Sequence, residues 1–180
     1  VSRLPTSESL EKEATAAFKA GQLDLAVETF RAARDAYEQD GDDLKAAEMS
    51  NNESVTLLKA DRPQEALEAV RGTQEVFLAA GDERRAALAW GNIAAALESC
   101  GDLASAEDAY RQATALFANL DDDEARAYTH QALSRLQIRQ GRAIEAVTTM
   151  QAGLETDHRL SLRNRIMRFL LRLPSRLTGR

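Results

Sequence analysis

Few side chains in this sequence have the type and spacing that chemistry needs. The only histidines, His130 and His158, lie 28 positions apart with no cysteine near either. Metal sites usually pair their ligands at short spacings such as i, i+4. No metal is therefore expected, and His130 reads as a packing residue. Cys100 is the single cysteine. A reactive thiolate wants a helix N-terminus or cationic neighbours, whereas Cys100 stands at an expected helix end just before Gly101, with Glu98 nearby. It reads as a small buried residue. The run Asp121-Asp122-Asp123-Glu124 lacks the spaced ligands and central glycine of a calcium loop. At a helix start, the same carboxylates cap free N–H groups and complement the helix dipole. The sequence has no Gly-rich phosphate loop and no G-x-S-x-G. The expectation is a protein that is not an enzyme and takes no cofactor.

Binding chemistry is better represented. Asn51, Asn52 and Asn92 carry amides that both donate to and accept from a peptide backbone. Arg135 and Arg139 stand one helical turn apart, so both can face one acidic group.

Helices must position these residues. The 180 residues are 44% hydrophobic but only 5% aromatic, with three prolines. Alanine is abundant, and it has the lowest helical cost and lets helices approach closely. No alternating run of β-branched residues suggests a sheet. No stretch reaches the roughly 18 to 20 apolar residues that span a bilayer. No basic-then-apolar leader is visible at Val1–Leu10, and a lone cysteine gives no sign of an oxidising compartment. A cytoplasmic protein is the expectation. The preference for arginine over lysine hints at a GC-rich bacterial source.

Four columns recur at a spacing of forty. One is Gly21, Asp61, Gly101, Gly141. Five positions on comes Ala26, Ala66, Ala106, Ala146, and four beyond that Phe30, Val70, Tyr110, Met150. Tyr37, Phe77 and Phe117 form the fourth. Gly41-Asp42, Gly81-Asp82 and Leu120-Asp121 mark a second set of breaks between them. Glycine suits a helix C-terminus, the following Asp caps the next helix, and Pro63 suits a first turn. The alanine column predicts close helix crossings and the large column fills the space beside them. The breaks predict helices over 5–20, 23–39, 43–60, 63–79, 83–100, 103–119, 122–140 and 143–156, paired as hairpins. The repeats then run over about 5–40, 43–80, 83–120 and 122–157. A ninth helix is expected around 159–173, stopped by Pro174.

The third repeat reads Trp90, Ile93, Ala94 and Leu97, then Gly101, Ala106 and Tyr110. It resembles the tetratricopeptide signature W-x2-L-G-x2-Y…A-x3-F, in a variant longer than the usual repeat of about 34 residues. Ala14, Phe18, Gly21, Ala26, Phe30 and Ala33 are similar in the first repeat. The second repeat departs from the pattern, with Ser50, Glu53 and Ser54 at apolar or small positions. The resemblance implies an all-α fold, an α-α superhelix (solenoid) of four hairpins over residues 1–158, whose first helices line a concave groove for a protein or peptide segment. Residue by residue it points to Asn51, Asn52, Val55, Leu88, Asn92, Tyr128, Gln131, Arg135 and Arg139 as groove residues.

Net charge is −6 overall, yet 159–180 holds seven arginines and no acids. The acidic remainder repels nucleic-acid phosphates, so no nucleic-acid partner is expected. On a helix, Leu162, Ile166, Phe169, Leu170, Leu173 and Leu177 would share one face, and Arg165, Arg168, Arg172 and Arg176 the other. Two readings stay open for this basic amphipathic segment: a cap over the last hairpin, or a surface that docks on an anionic membrane, a partner or a second copy. For a cap, deleting 159–180 is expected to lower Tm by several degrees in a thermal melt. An unchanged Tm would favour docking.

Overall fold

The computed structural model describes residues 5–156, and every regular element in them is an α-helix. The helices are α1 (Ser7–Lys19), α2 (Leu23–Asp40), α3 (Asp43–Lys59), α4 (Pro63–Val70), α5 (Thr73–Ala79), α6 (Glu83–Cys100), α7 (Leu103–Asn119), α8 (Asp123–Arg139) and α9 (Ala143–Thr156). The described residues fall into two compact units, divided between Ala109 and Tyr110.

The predicted punctuation sets the boundaries. Thr6 caps α1, its hydroxyl accepting from the Ser9 amide at 3.2 Å. Asp42, Asp82, Asp102 and Asp122 each accept from the amide three residues on, at 2.9 to 3.1 Å. This satisfies first-turn donors that have no partner within the helix. Asp122 thus uses part of the acidic run for capping, and Asp123 pairs with Arg126 at 3.4 Å. Gly101 takes the left-handed conformation (φ 87°) that lets the Asp102 amide reach back to the Leu97 carbonyl. Asp61 holds the same conformation (φ 57°) where the second repeat has no glycine. Aspartate tolerates this better than most side chains.

One predicted helix is interrupted. The stretch 63–79 is two helices, because Arg71 is extended and Gly72 turns left-handed at φ 83°. The Thr73 hydroxyl then donates to the Val70 carbonyl at 2.9 Å, closing the break. A glycine in mid-helix was the available signal.

In the first unit α1 packs on α2, α2 on α3, α3 on α4 and α5, and those two on α6. The small column does its predicted work: Ala14, Ala26 and Ala33 are fully buried beside Phe30, Tyr37 and Met49. A second cluster joins Val27 of α2 to Leu57 of α3, Ala66 of α4 and Ala96 of α6. In the second unit α8 packs on α9, and the buried Ser134 hydroxyl donates to the Ala146 carbonyl at 2.9 Å.

Glu53 is the exception in the first core. Its carboxylate on α3 is only 2% exposed, where the third and fourth repeats place Ile93 and Leu133. Arg31 of α2 donates to one oxygen from Nε (3.0 Å) and Nη2 (2.7 Å), and Arg34 Nη1 donates to the other at 3.1 Å. Both guanidinium groups keep contact with water while the carboxylate does not. Removing the carboxylate is therefore tolerated better than removing its partners, which strands a buried charge. Chemical denaturation should show Glu53→Ile within about 1.5 kcal/mol of the parent. Replacing Arg31 and Arg34 together by Met should cost about 3–5 kcal/mol.

Candidate binding face

The first helices of the first unit carry a connected line of charge. The Tyr37 hydroxyl donates to Glu11 of α1, and Lys45 of α3 donates to the same carboxylate at 3.1 Å. Lys45 also lies 3.4 Å from Glu48, which Arg85 of α6 approaches to 3.6 Å. Arg85 in turn holds Asp82 at 2.7 Å and covers the Phe77 ring at 5.0 Å. Burial works to raise the Glu11 carboxyl, but the Tyr37 hydroxyl and Lys45 ammonium outweigh it and hold it below its ordinary value. Burial likewise opposes charge on Lys45, but Glu11 and Glu48 keep it above the usual lysine range. Lys45 and Tyr37 close one side of an open groove of about 540 Å³, whose other wall is Glu8, Glu11, Lys12, Thr15, Ala16 and Lys19 of α1.

Asn51 is placed differently from a groove contact. It is buried, its amide nitrogen donating to the Ala47 carbonyl at 2.9 Å and its oxygen accepting from Asn92 Nδ2 at 2.9 Å. Its hydrogen-bonding capacity ties α3 to α6 rather than facing a ligand. Asn52, Val55 and Asn92 are half-buried, and Leu88 is exposed. In the second unit, Tyr128, Gln131 and Arg135 lie on the exposed side of α8 together with Ile138, and Arg139 is exposed one turn on from Arg135. Tyr128 is 68% and Ile138 57% exposed.

His130 is a packing residue, as its place in the repeat predicts. A side chain at Gly153 of α9 would come within 2.8 Å of its Cβ, so the glycine at 153 is what lets α9 approach α8 this closely beside His130. Burial, with Arg126 nearby, pulls its pKa below the ordinary histidine value. Cys100 differs from expectation. It is half-buried rather than buried, because it ends α6 beside the turn at Gly101. Arg165, Arg168, Arg172 and Arg176 lie outside the described residues, as does His158.

Sequence reasoning missed the lines Glu11–Tyr37–Lys45 and Arg31–Arg34–Glu53. The signal available for the second was a pair of arginines one turn apart on α2, opposite an acid in an apolar column of α3.

The soluble NSF attachment protein (SNAP) family matches this chain over residues 2–169. The chain belongs to that family. No curated protein is similar enough in sequence to match this SNAP-family chain. Solved structures share its fold. BtubC from P. vanneervenii is 19% identical with a TM-score of 0.74, the alignment covering 83% of this chain and 62% of BtubC. MamA (residues 41 to the end) from Desulfovibrio magneticus RS-1 is 19% identical with a TM-score of 0.69, covering 88% of this chain and 79% of MamA. A putative kinesin light chain with TPR-like repeats from Podosopora anserina is 16% identical at a TM-score of 0.72, covering 86% and 76% respectively. The tetratricopeptide-like fold read from the Gly-x4-Ala-x3-aromatic columns is thus the fold of this SNAP-family chain.

The Asn51–Asn92 bond makes a stability prediction. Asn51→Ala should destabilise by about 1 kcal/mol. Adding Asn92→Ala should cost clearly less than the sum of the two single changes, since both remove one bond. Denaturant melts of the four proteins check this, and simple additivity would mean that the bond contributes nothing.

Proposed function

We propose that the chain is a protein-interaction scaffold that holds a segment of a partner protein on the exposed side of its first helices. One observation carries this reading. Leu88 on α6 and Tyr128 on α8 occupy the same position of the forty-residue repeat, and both leave a large side chain exposed. Asn92 flanks the first, and Gln131 and Arg135 flank the second. Aromatic and arginine side chains dominate binding energy at protein interfaces, with amides supplying backbone hydrogen bonds. The family's description as an attachment protein agrees in kind with such a role. The TPR-like repeats of the kinesin light chain share this fold, and stacked helical repeats of this kind present extended surfaces for binding. The binding residues are Asn52, Val55, Leu88 and Asn92 in the first unit and Tyr128, Gln131, Arg135 and Arg139 in the second. Asn51 acts by holding Asn92. The setting is the bacterial cytoplasm, and the partner is a protein with an acidic group for Arg135 and Arg139.

The alternative is action through the arginine-rich segment as an oligomerisation or membrane-surface element. The charge contrast between 159–180 and the acidic remainder favours it.

A pull-down with the full chain separates the two. The baits are the parent, Leu88→Ala with Asn92→Ala, Tyr128→Ala with Arg135→Ala, and Arg165, Arg168, Arg172 and Arg176 all changed to Ser. A prey kept by the parent and reduced at least about tenfold by either first-helix variant, with Tm unchanged, is the expected result. A prey lost only with the arginine variant would move function to that segment.

A further inference from the structure

The repeat supplies its own control for what covers α9. In the first unit, Val27 of α2 is 2% exposed because α3 lies on it, sharing a cluster with Leu57 and Leu58. Phe30 of α2 is likewise enclosed with Ala46 and Met49 of α3. In the first unit each second helix thus buries one side under the first helix of the next hairpin, α2 under α3 and the α4–α5 pair under α6. The equivalents of Val27 stay covered at Leu67, half-buried, and Glu107, buried. At Val147 the same position is 43% exposed. The equivalents of Phe30 are buried at Val70 and Tyr110, yet Met150 is only half-buried. Among the described residues, then, α9 presents a side that in the earlier hairpins receives a helix.

The next forty-residue step says what belongs there. The inward columns of the first helices are Ala46/Ala86, Ala47/Ala87, Met49/Ala89/Thr129, Ser50/Trp90/His130 and Glu53/Ile93/Leu133, nearly all buried. The first two columns continue through Arg126 and Ala127, both half-buried, and forty positions past the fourth-repeat members Arg126, Ala127, Thr129, His130 and Leu133 stand Ile166, Met167, Phe169, Leu170 and Leu173, all apolar. The columns Lys45/Arg85/Ala125 and Glu48/Leu88/Tyr128, half-buried to exposed, lead to Arg165 and Arg168. The register ends at Leu173, because Pro174 falls on the buried Ser54/Ala94/Ser134 column and Arg176 on the buried Thr56/Ala96/Leu136 column.

We propose that residues 163–173 are the first helix of a fifth repeat and lie on α9, with Ile166 and Phe169 against Met150 as Ala46 and Met49 stand to Phe30. Arg165 and Arg168 then continue the columns that carry Lys45, Arg85, Leu88 and Tyr128. The apolar side of this stretch is then committed to the chain itself, and Arg165 and Arg168 face away from it. This goes beyond the partner-binding reading and holds whether or not that reading does.

Cross-linking the full chain tests it, in a Cys100→Ser background. The pair Met150→Cys/Phe169→Cys should link within one chain under a short bismaleimide. It should do so at least about tenfold faster than Thr148→Cys/Phe169→Cys, since the Thr148 column (Glu28, Glu68, Asp108) is exposed. Equal rates overturn the proposal. So does a product formed only between chains, which would make a second copy the occupant. Hydrogen exchange on the uncross-linked chain guards against a variant that fails to fold. Ile166→Asp with Phe169→Asp should speed exchange of the α9 amides at least about tenfold, leaving α1 to α3 unchanged. Unchanged α9 exchange overturns the proposal, as does parent α9 protection that appears only with phosphatidylserine vesicles.

Discussion

A helical hairpin cannot bury both of its sides by itself, and this constraint organises the whole chain. Each helix here is short and alanine-rich, with too little apolar surface for a private core. Val27 of α2 and Leu57 of α3 are buried in one cluster to which α4 and α6 also contribute, so no single hairpin encloses either. Stability in such an arrangement is a sum of hairpins and of nearest-neighbour contacts. The alanine column follows from this. Ala26 and Ala66 are fully buried, so a larger residue at either would have to displace packed neighbours. Gly153 takes the idea one step further, since even a methyl group there would strike His130.

The constraint also explains which parts of the fold were legible in the sequence. Periodicity reports what every repeat must do, so the turns, caps, alanines and inward large residues could be read in advance, nearly to the residue. Features that occur once leave no column. The break at Gly72 interrupts a helix that its counterparts 23–40 and 103–119 continue. Glu53 sits where the pattern asks for an apolar residue, and its neutralisation comes from α2, 22 and 19 positions away in sequence. A residue that departs from its column signals that something compensates. The sequence alone does not say which neighbour does so.

The candidate site shows the same division more sharply. Asn51 and Asn92 look alike in sequence, one repeat and one position apart, and both suit a peptide backbone. Burial separates them: Asn51 spends both ends of its amide inside the chain, while Asn92 keeps part of its surface in water. Residue type gives both the same hydrogen-bonding capacity, and only packing could say which copy was committed to the fold. Tyr128 poses the opposite case. A tyrosine in a repeat chain reads first as core, as Tyr37 and Tyr110 are. Its register, shared with Glu48 and Leu88, puts it on the outward column instead.

Register therefore carries more functional information here than residue type does. Where an outward column holds Glu8 and Glu48 in the early repeats, it passes to Leu88 and Tyr128 in the later ones. The acids of the early repeats lie in or beside the network of Glu11, Lys45, Glu48 and Arg85, which ties the first helices of the first unit together. Leu88 and Tyr128 have no charge to contribute to such a network. An exposed large side chain gains nothing for the fold by staying in water, because burying it would be favourable by about 1.5–3 kcal/mol. Its retention on an outward column, beside amides and guanidinium groups, is what a surface selected to meet another protein would look like. In the early repeats Glu48, on the same column, is instead held by Lys45 and Arg85 within the chain.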